Sequence, residues 1–271
     1  MKPSILKLIL PVCIVAIIPA CKKDKSPEAG GNTLDKITQQ FSNQPGVTTT
    51  TQYQYDAANR LVLVTRISGQ ATNVDSTRFT YDAGGKLTGN RESNTQIGGI
   101  TSYAMQYDNN GRVARAKGTA LMFNLQVDDR TYAYDAQGRL VADSQVYQQT
   151  NKVFNYHVYT YNADNNIIKD EQFDNSSGSF QLTGTTAITY DGHTNPLYSN
   201  GMTLYMVFQD QGLLCKHNTS SVTGQSAGSS TVYSSNVSHA YYRNGLPWRA
   251  TTTPSTPNSG TTTTEYYYKA P

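Results

Sequence analysis

The sequence predicts an all-β protein: an array of antiparallel β-hairpins gathered into one large, twisted and curled sheet. Three observations carry that prediction. A tyrosine-led turn recurs at residues 55, 81, 107, 134, 161 and 190, and a near-constant period of this size signals a repeat architecture. The strand entering each turn alternates, as in Tyr53-Gln54-Tyr55, Phe79-Thr80-Tyr81, Tyr132-Ala133-Tyr134 and Tyr159-Thr160-Tyr161, which lines one face with aromatics. The apolar load falls on 20 tyrosines within a hydrophobic fraction of only 37%, a composition suited to half-buried pleated surfaces.

The turn itself is clearest at Tyr134-Asp135-Ala136-Gln137-Gly138-Arg139-Leu140. Tyr closes one strand and Asp opens the turn, its carboxylate accepting from the backbone N–H two residues on. Two turn residues follow, then a left-handed position, then Arg-Leu begins the return strand. Aspartates stand at Asp56, Asp82, Asp108, Asp135 and Asp191, and the left-handed column reads Asn59, Gly85, Gly111, Gly138 and Asn165. Gly and Asn best tolerate positive φ, so this column reports geometry rather than chemistry. A single hairpin cannot bury an aromatic face, so neighbouring units must share it.

The front of the chain reads as an address. Lys2 and Lys7 flank or interrupt an apolar run from Ile5 to Ile18, too short for a comfortable bilayer span and patterned as a secretory signal over residues 1–20. The run ends Ile17-Ile18-Pro19-Ala20-Cys21. That ending resembles the bacterial lipobox, which implies cleavage before Cys21, its lipidation, and attachment to the outer membrane through acyl chains, facing the periplasm or the cell surface. Residues 21–46 then form the anchor Cys, a Pro/Gly tether and a short capping segment. Within it Leu34, Ile37 and Phe41 fall at helical spacing and predict a short amphipathic helix.

The β-domain spans residues 47–271, with clear repeats over 53–200 and degenerate repeats with capping strands over 201–271. The pattern Tyr-Asp-x-x-Gly-Arg-Leu resembles the YD repeat, or RHS-type repeat, of bacterial cell-surface proteins, and the whole chain is similar to small YD-repeat lipoproteins. In that family the repeats form a long antiparallel sheet; the resemblance names no activity. In the sixth copy Pro196 marks an edge or a change of direction. Phe208–Leu213 and Tyr242–Trp248 read as late shortened copies, Ser220–Ser230 as a long mobile loop, Thr251–Thr264 as a hairpin loop, and Glu265–Lys269 as the last strand.

Function is far less legible. Outside residues 1–20 the chain holds 20 basic and 19 acidic residues, an even balance that gives no footprint for nucleic acid. Cys215 is the one cysteine beyond Cys13 and Cys21, so no internal disulfide framework forms; it reads as a small strand residue. Glu92 and Glu171 are carboxylates without a nameable catalytic partner. His157 reads as a satisfied or exposed strand histidine. Cys215-Lys216-His217 offers too few ligands for a metal, and no metal or cofactor is expected. The remaining candidate is an aromatic ligand surface at Tyr241, Tyr242 and Trp248. These readings predict a non-catalytic envelope lipoprotein acting as a binding or interaction module for an unknown envelope protein or glycan. Carbohydrate binding is the alternative, and glycan hydrolysis the more remote one.

Overall fold

A computed structural model describes residues 31–69, 74–94, 98–121, 127–256 and 259–270. Sixteen strands follow one another: β1 (Leu34–Phe41), β2 (Thr48–Tyr55), β3 (Leu61–Ser68), β4 (Val74–Tyr81), β5 (Leu87–Asn94), β6 (Gly99–Tyr107), β7 (Val113–Ala120), β8 (Asp129–Tyr134), β9 (Leu140–Tyr147), β10 (Lys152–Tyr161), β11 (Ile167–Asp174), β12 (Gln181–Thr194), β13 (His217–Ser226), β14 (Val232–Tyr241), β15 (Pro247–Pro254) and β16 (Thr262–Tyr268). Each pairs antiparallel with its sequence neighbours, and β1 pairs with β16, so the sheet closes into a barrel. The all-β antiparallel class is as predicted. The predicted curled sheet of repeats is instead a closed 16-strand barrel, and closure removes both edges.

The turns at Asp56, Asp108 and Asp135 share one local chemistry, whereas Asp191, expected as a turn residue, lies within β12. At Asp135 the carboxylate Oδ1 accepts from Gln137 N–H (3.0 Å) and Arg139 N–H (2.9 Å), while Oδ2 holds Arg139 Nε at 2.7 Å. Asp56 and Asp108 do the same for Arg60 and Arg112. These bonds hold the Asp56, Asp108 and Asp135 carboxyls below the usual carboxylate range. Gly138 sits at φ +81° and Asn165 at +62°, as the left-handed column requires. Each turn ends in a bulge, where Ala133 pairs with Ala142 and Tyr134 with Leu140.

The bulge links neighbouring repeats. It interrupts the ladder, and the hydroxyl of the next repeat's tyrosine donates to the carbonyl just there: Tyr81 to Leu61 (2.8 Å), Tyr134 to Val113 (2.9 Å), Tyr161 to Leu140 (2.7 Å) and Tyr190 to Ile167 (2.6 Å). The basic residue of each turn stacks on the same ring, with Arg112 4.7 Å from the Tyr134 centroid and Arg139 4.7 Å from that of Tyr161. Lys269 lies over Tyr55 at 4.8 Å, so the contact that joins successive repeats also joins the end of β16 to β2, across β1. Tyr134→Phe, which strips the Val113 carbonyl of its partner, is expected to cost about 1 kcal/mol, read as a lower midpoint in urea with unchanged slope.

Alternation assigns the two faces of the wall. Tyr53, Phe79, Tyr103, Tyr132 and Tyr159 point inward and are buried. Two register rows of the outer face are polar. One register row across β14, β15, β16, β1 and β2 reads Ser238, Thr251, Thr263, Gln40 and Thr48. A second, from β16 through β5, reads Tyr267, Lys36, Gln52, Thr65, Ser76 and Ser93. A lipid-facing barrel carries an apolar band roughly 25 Å tall; these two rows are polar, while elsewhere the barrel exposes Tyr147, Phe180, Leu182, Val232 and Tyr233.

Several expectations need correction. Leu34–Phe41 is strand β1, not a helix: its partners β2 and β16 offer ladder bonds on both sides, and tertiary pairing outweighs the i, i+3 spacing. Ser220–Ser230 falls largely in β13, whose low-propensity residues are held by β12 and β14. Thr251–Thr264 is strand at both its ends, in β15 to Pro254 and in β16 from Thr262. The signal segment, Cys21 and the start of the tether lie outside the described residues.

Candidate functional site: the barrel lumen

A barrel of 16 strands is too wide for wall side chains to fill. The one long excursion from the wall supplies the filling. β12 ends at Thr194, and Pro196, which has no N–H for the ladder, starts the departure. A 3-10 turn at Tyr198–Asn200 leads into helix α1 (Gly201–Phe208), and Gln209 at φ +51° reverses the chain. A second 3-10 turn, Gln211–Leu214, is capped by Asp210 and returns the chain to β13. Asn195 ties the two ends together, its Nδ2 donating to the carbonyls of Gly212 and Cys215 at 3.0 Å each. Leu204, Tyr205, Met206 and Leu213 join the wall residues in one apolar core. The expected shortened repeat at Phe208–Leu213 is therefore part of this internal stopper; the Pro at residue 196 does mark the predicted change of direction.

The wall grips α1 through buried polar groups. Arg130 donates to the Met206 carbonyl, and Tyr205 donates to Asp143. Tyr159 reaches the same Asp143 oxygen at 2.9 Å. Burial raises the Asp143 pKa, with nearby Asp170 adding to it and His157 opposing. His157 Nδ1 lies 2.9 Å from Asp170; burial alone would lower its pKa, but the Asp170 bond and the charges of Asp170 and Asp143 raise it. Glu92, bonded to Asn90 at 3.0 Å, is also pushed up by burial.

Beyond α1 lies a chamber of about 660 Å³, bounded by β1–β3 and β13–β16 and lined among others by Tyr53, Arg66, Phe208, Asp210, His239 and Tyr266. Burial pushes the Tyr266 phenol up to about 12 and the His239 imidazole down. At the turn end a second hollow of about 560 Å³ is lined by Arg112, Tyr134, Arg139, Tyr161, Tyr198 and Met202. The helix stands between them.

The residues singled out as a ligand surface do not form one. Tyr241 donates to Asp191 and stacks on His193 at 3.9 Å. Tyr242 occupies the place that Asp holds in other turns and meets Tyr268 edge-on at 5.8 Å. Trp248 is half-buried in the β15 bulge between Pro247 and Arg249. Cys215 is buried in the turn leading out of the stopper rather than in a strand, its Sγ accepting from Ile167 N–H at 3.3 Å. No group of three metal-ligating side chains occurs among the described residues. The stopper and the chamber left no sequence signal beyond the breakdown of the repeat after Pro196.

No protein-family model matches the chain, and no curated protein matches it. Among solved structures it is similar to a porin-like protein of Bacteroides uniformis, at 12% identity and TM-score 0.58, over 87% of this chain and 98% of that one. A porin-like protein of Bacteroides vulgatus aligns at 8% identity and TM-score 0.42, over 88% and 98%. The Tc holotoxin pore of Photorhabdus luminescens aligns at 15% identity and TM-score 0.29, over 79% of this chain and 9% of that one. The first likeness is one of fold. With the closed barrel it overturns the expected repeat-built interaction module and its glycan-binding and glycan-hydrolysing alternatives. The buried tyrosine face lines the lumen.

Proposed function

We propose that this chain is a porin-like barrel of the cell envelope that works through its lumen, admitting small polar solutes at the loop end and stopping them at α1. The chamber of about 660 Å³ closed by the internal helix carries this reading, since a concave, part-polar hollow of a few hundred Å³ is the ordinary form of a small-molecule site. No catalytic step is assigned. The polar rows of the outer wall favour a barrel held at the membrane over one inserted in it. Cys21 would supply the hold as a lipid anchor, and an outer-membrane place is further supported by the porin-like neighbour. The turn chemistry supports kinship with the YD-repeat lipoproteins. Strand β1 leaves the turn end, where Asn32 meets Asn244 at 3.3 Å, so an anchor at Cys21 would turn the loop-end mouth away from the bilayer.

A conducting pore is the second reading, favoured by the porin-like fold. Planar-bilayer recording on the full chain separates the two. The receptacle reading expects no stepwise conductance, together with saturable uptake of small solutes by the protein in aqueous buffer. Discrete open-channel steps would replace it with the pore.

A further inference from the structure

Asp210 is a carboxylate inside the barrel without a counter-charge. Its Oδ1 caps the 3-10 turn by accepting from Gly212 N–H at 2.8 Å, and its exposed area opens on the chamber. Among the described residues no Lys, Arg or His stands within ion-pair distance of it. The chamber's other charged or titratable side chains do not serve it. Arg66 acts on Tyr53, and His239 faces Asp191 at 3.2 Å. The groups that feel the Asp210 charge are Tyr53, Tyr190, Cys215 and Tyr266, three phenols and a thiol, none of them positive.

We propose that the chamber recognises a small organic cation, an ammonium or guanidinium group held at Asp210 among the rings of Tyr53, Tyr266 and Phe208. The inference rests on the receptacle reading and names its solute class. A bound cation would pair with this carboxylate while the aromatic rings add cation–π attraction. Burial raises the Asp210 pKa, so cation binding strengthens as pH rises through it.

Calorimetric titration of the full chain at pH 8 tests this with three probes that share a benzyl group: benzylammonium, benzyl alcohol and phenylacetate. The cation is expected to bind roughly tenfold or more tightly than either other probe, a difference of about 1.4 kcal/mol or more. Asp210→Asn, which keeps the cap, is expected to abolish that preference, and Asp210→Ser, a second capping residue, to do the same. Equal binding of the three probes, or a preference that survives both variants, would overturn the cation assignment while leaving the receptacle standing. No binding by any probe would overturn both.

Discussion

Exchanging Gly201 for alanine is expected to lift the internal helix from its seat, the largest single effect foreseen in this fold. Gly201 is the first residue of α1 and is buried, with an ordinary helical φ of −56°. The backbone would accept alanine; the space would not. A Cβ there would overlap the Leu213 carbonyl oxygen and stand 3.6 Å from the Leu214 Cα. These are backbone atoms that cannot rotate aside, so α1 and the 211–214 turn must part. Overpacking of this kind costs about 1–3 kcal/mol, and loosening Leu204, Tyr205 and Leu213 adds to it. Cys215 reports the event. It is fully buried at the stopper's exit and its thiol pKa is pushed up by burial, so alkylation should be slow in the parent. In the variant, mass spectrometry should find the Cys215 peptide alkylated many times faster, with a lower melting temperature. Unchanged labelling and melting would show that the helix is not seated as described.

How much of this was legible in the sequence depended on whether the information was local. The turn at Tyr134–Leu140 could be read atom by atom, because Asp, Gly and Arg act within five residues of one another. The Arg139–Tyr161 stack was less visible, since Arg139 read simply as the start of a strand until the next repeat was laid beside it. Closure was out of reach. Nothing within Leu34–Phe41 says that Tyr266 and Tyr268 will pair with it, and its apolar spacing imitates a helix. Ser220–Ser226 is a strand only because β12 and β14 lie on either side. The chamber is the least local feature of all, for Tyr53, Asp210 and Tyr266 meet only once the ring has closed around α1.

Mild acid is expected to stabilise the protein, and the sign follows from the titratable groups inside the barrel. Asp143, Glu92, Asp210 and His157 all have folded pKa values raised above their ordinary ones. A raised group binds its proton more tightly when folded, so its contribution is complete below the unfolded pKa and is lost as pH rises through the folded one. His239, lowered by burial, opposes this below its ordinary value of 6.5. The turn aspartates Asp56, Asp108 and Asp135 are depressed, so what they contribute is present above 3.8 and lost as pH falls through their folded values. Stability should therefore peak at about pH 4 to 5 and decline toward pH 8, each raised group contributing at most about 1.4 kcal/mol per pH unit. Asp143→Asn removes one titration while leaving an oxygen to accept from Tyr159 and Tyr205. Melting temperatures between pH 4.5 and 8.5 should fall less steeply in that variant than in the parent. A parent whose melting temperature rises from pH 5 to 8 would mean that Asp143 and its neighbours are solvated rather than clamped on α1, and the stopper would then be held by its apolar residues alone.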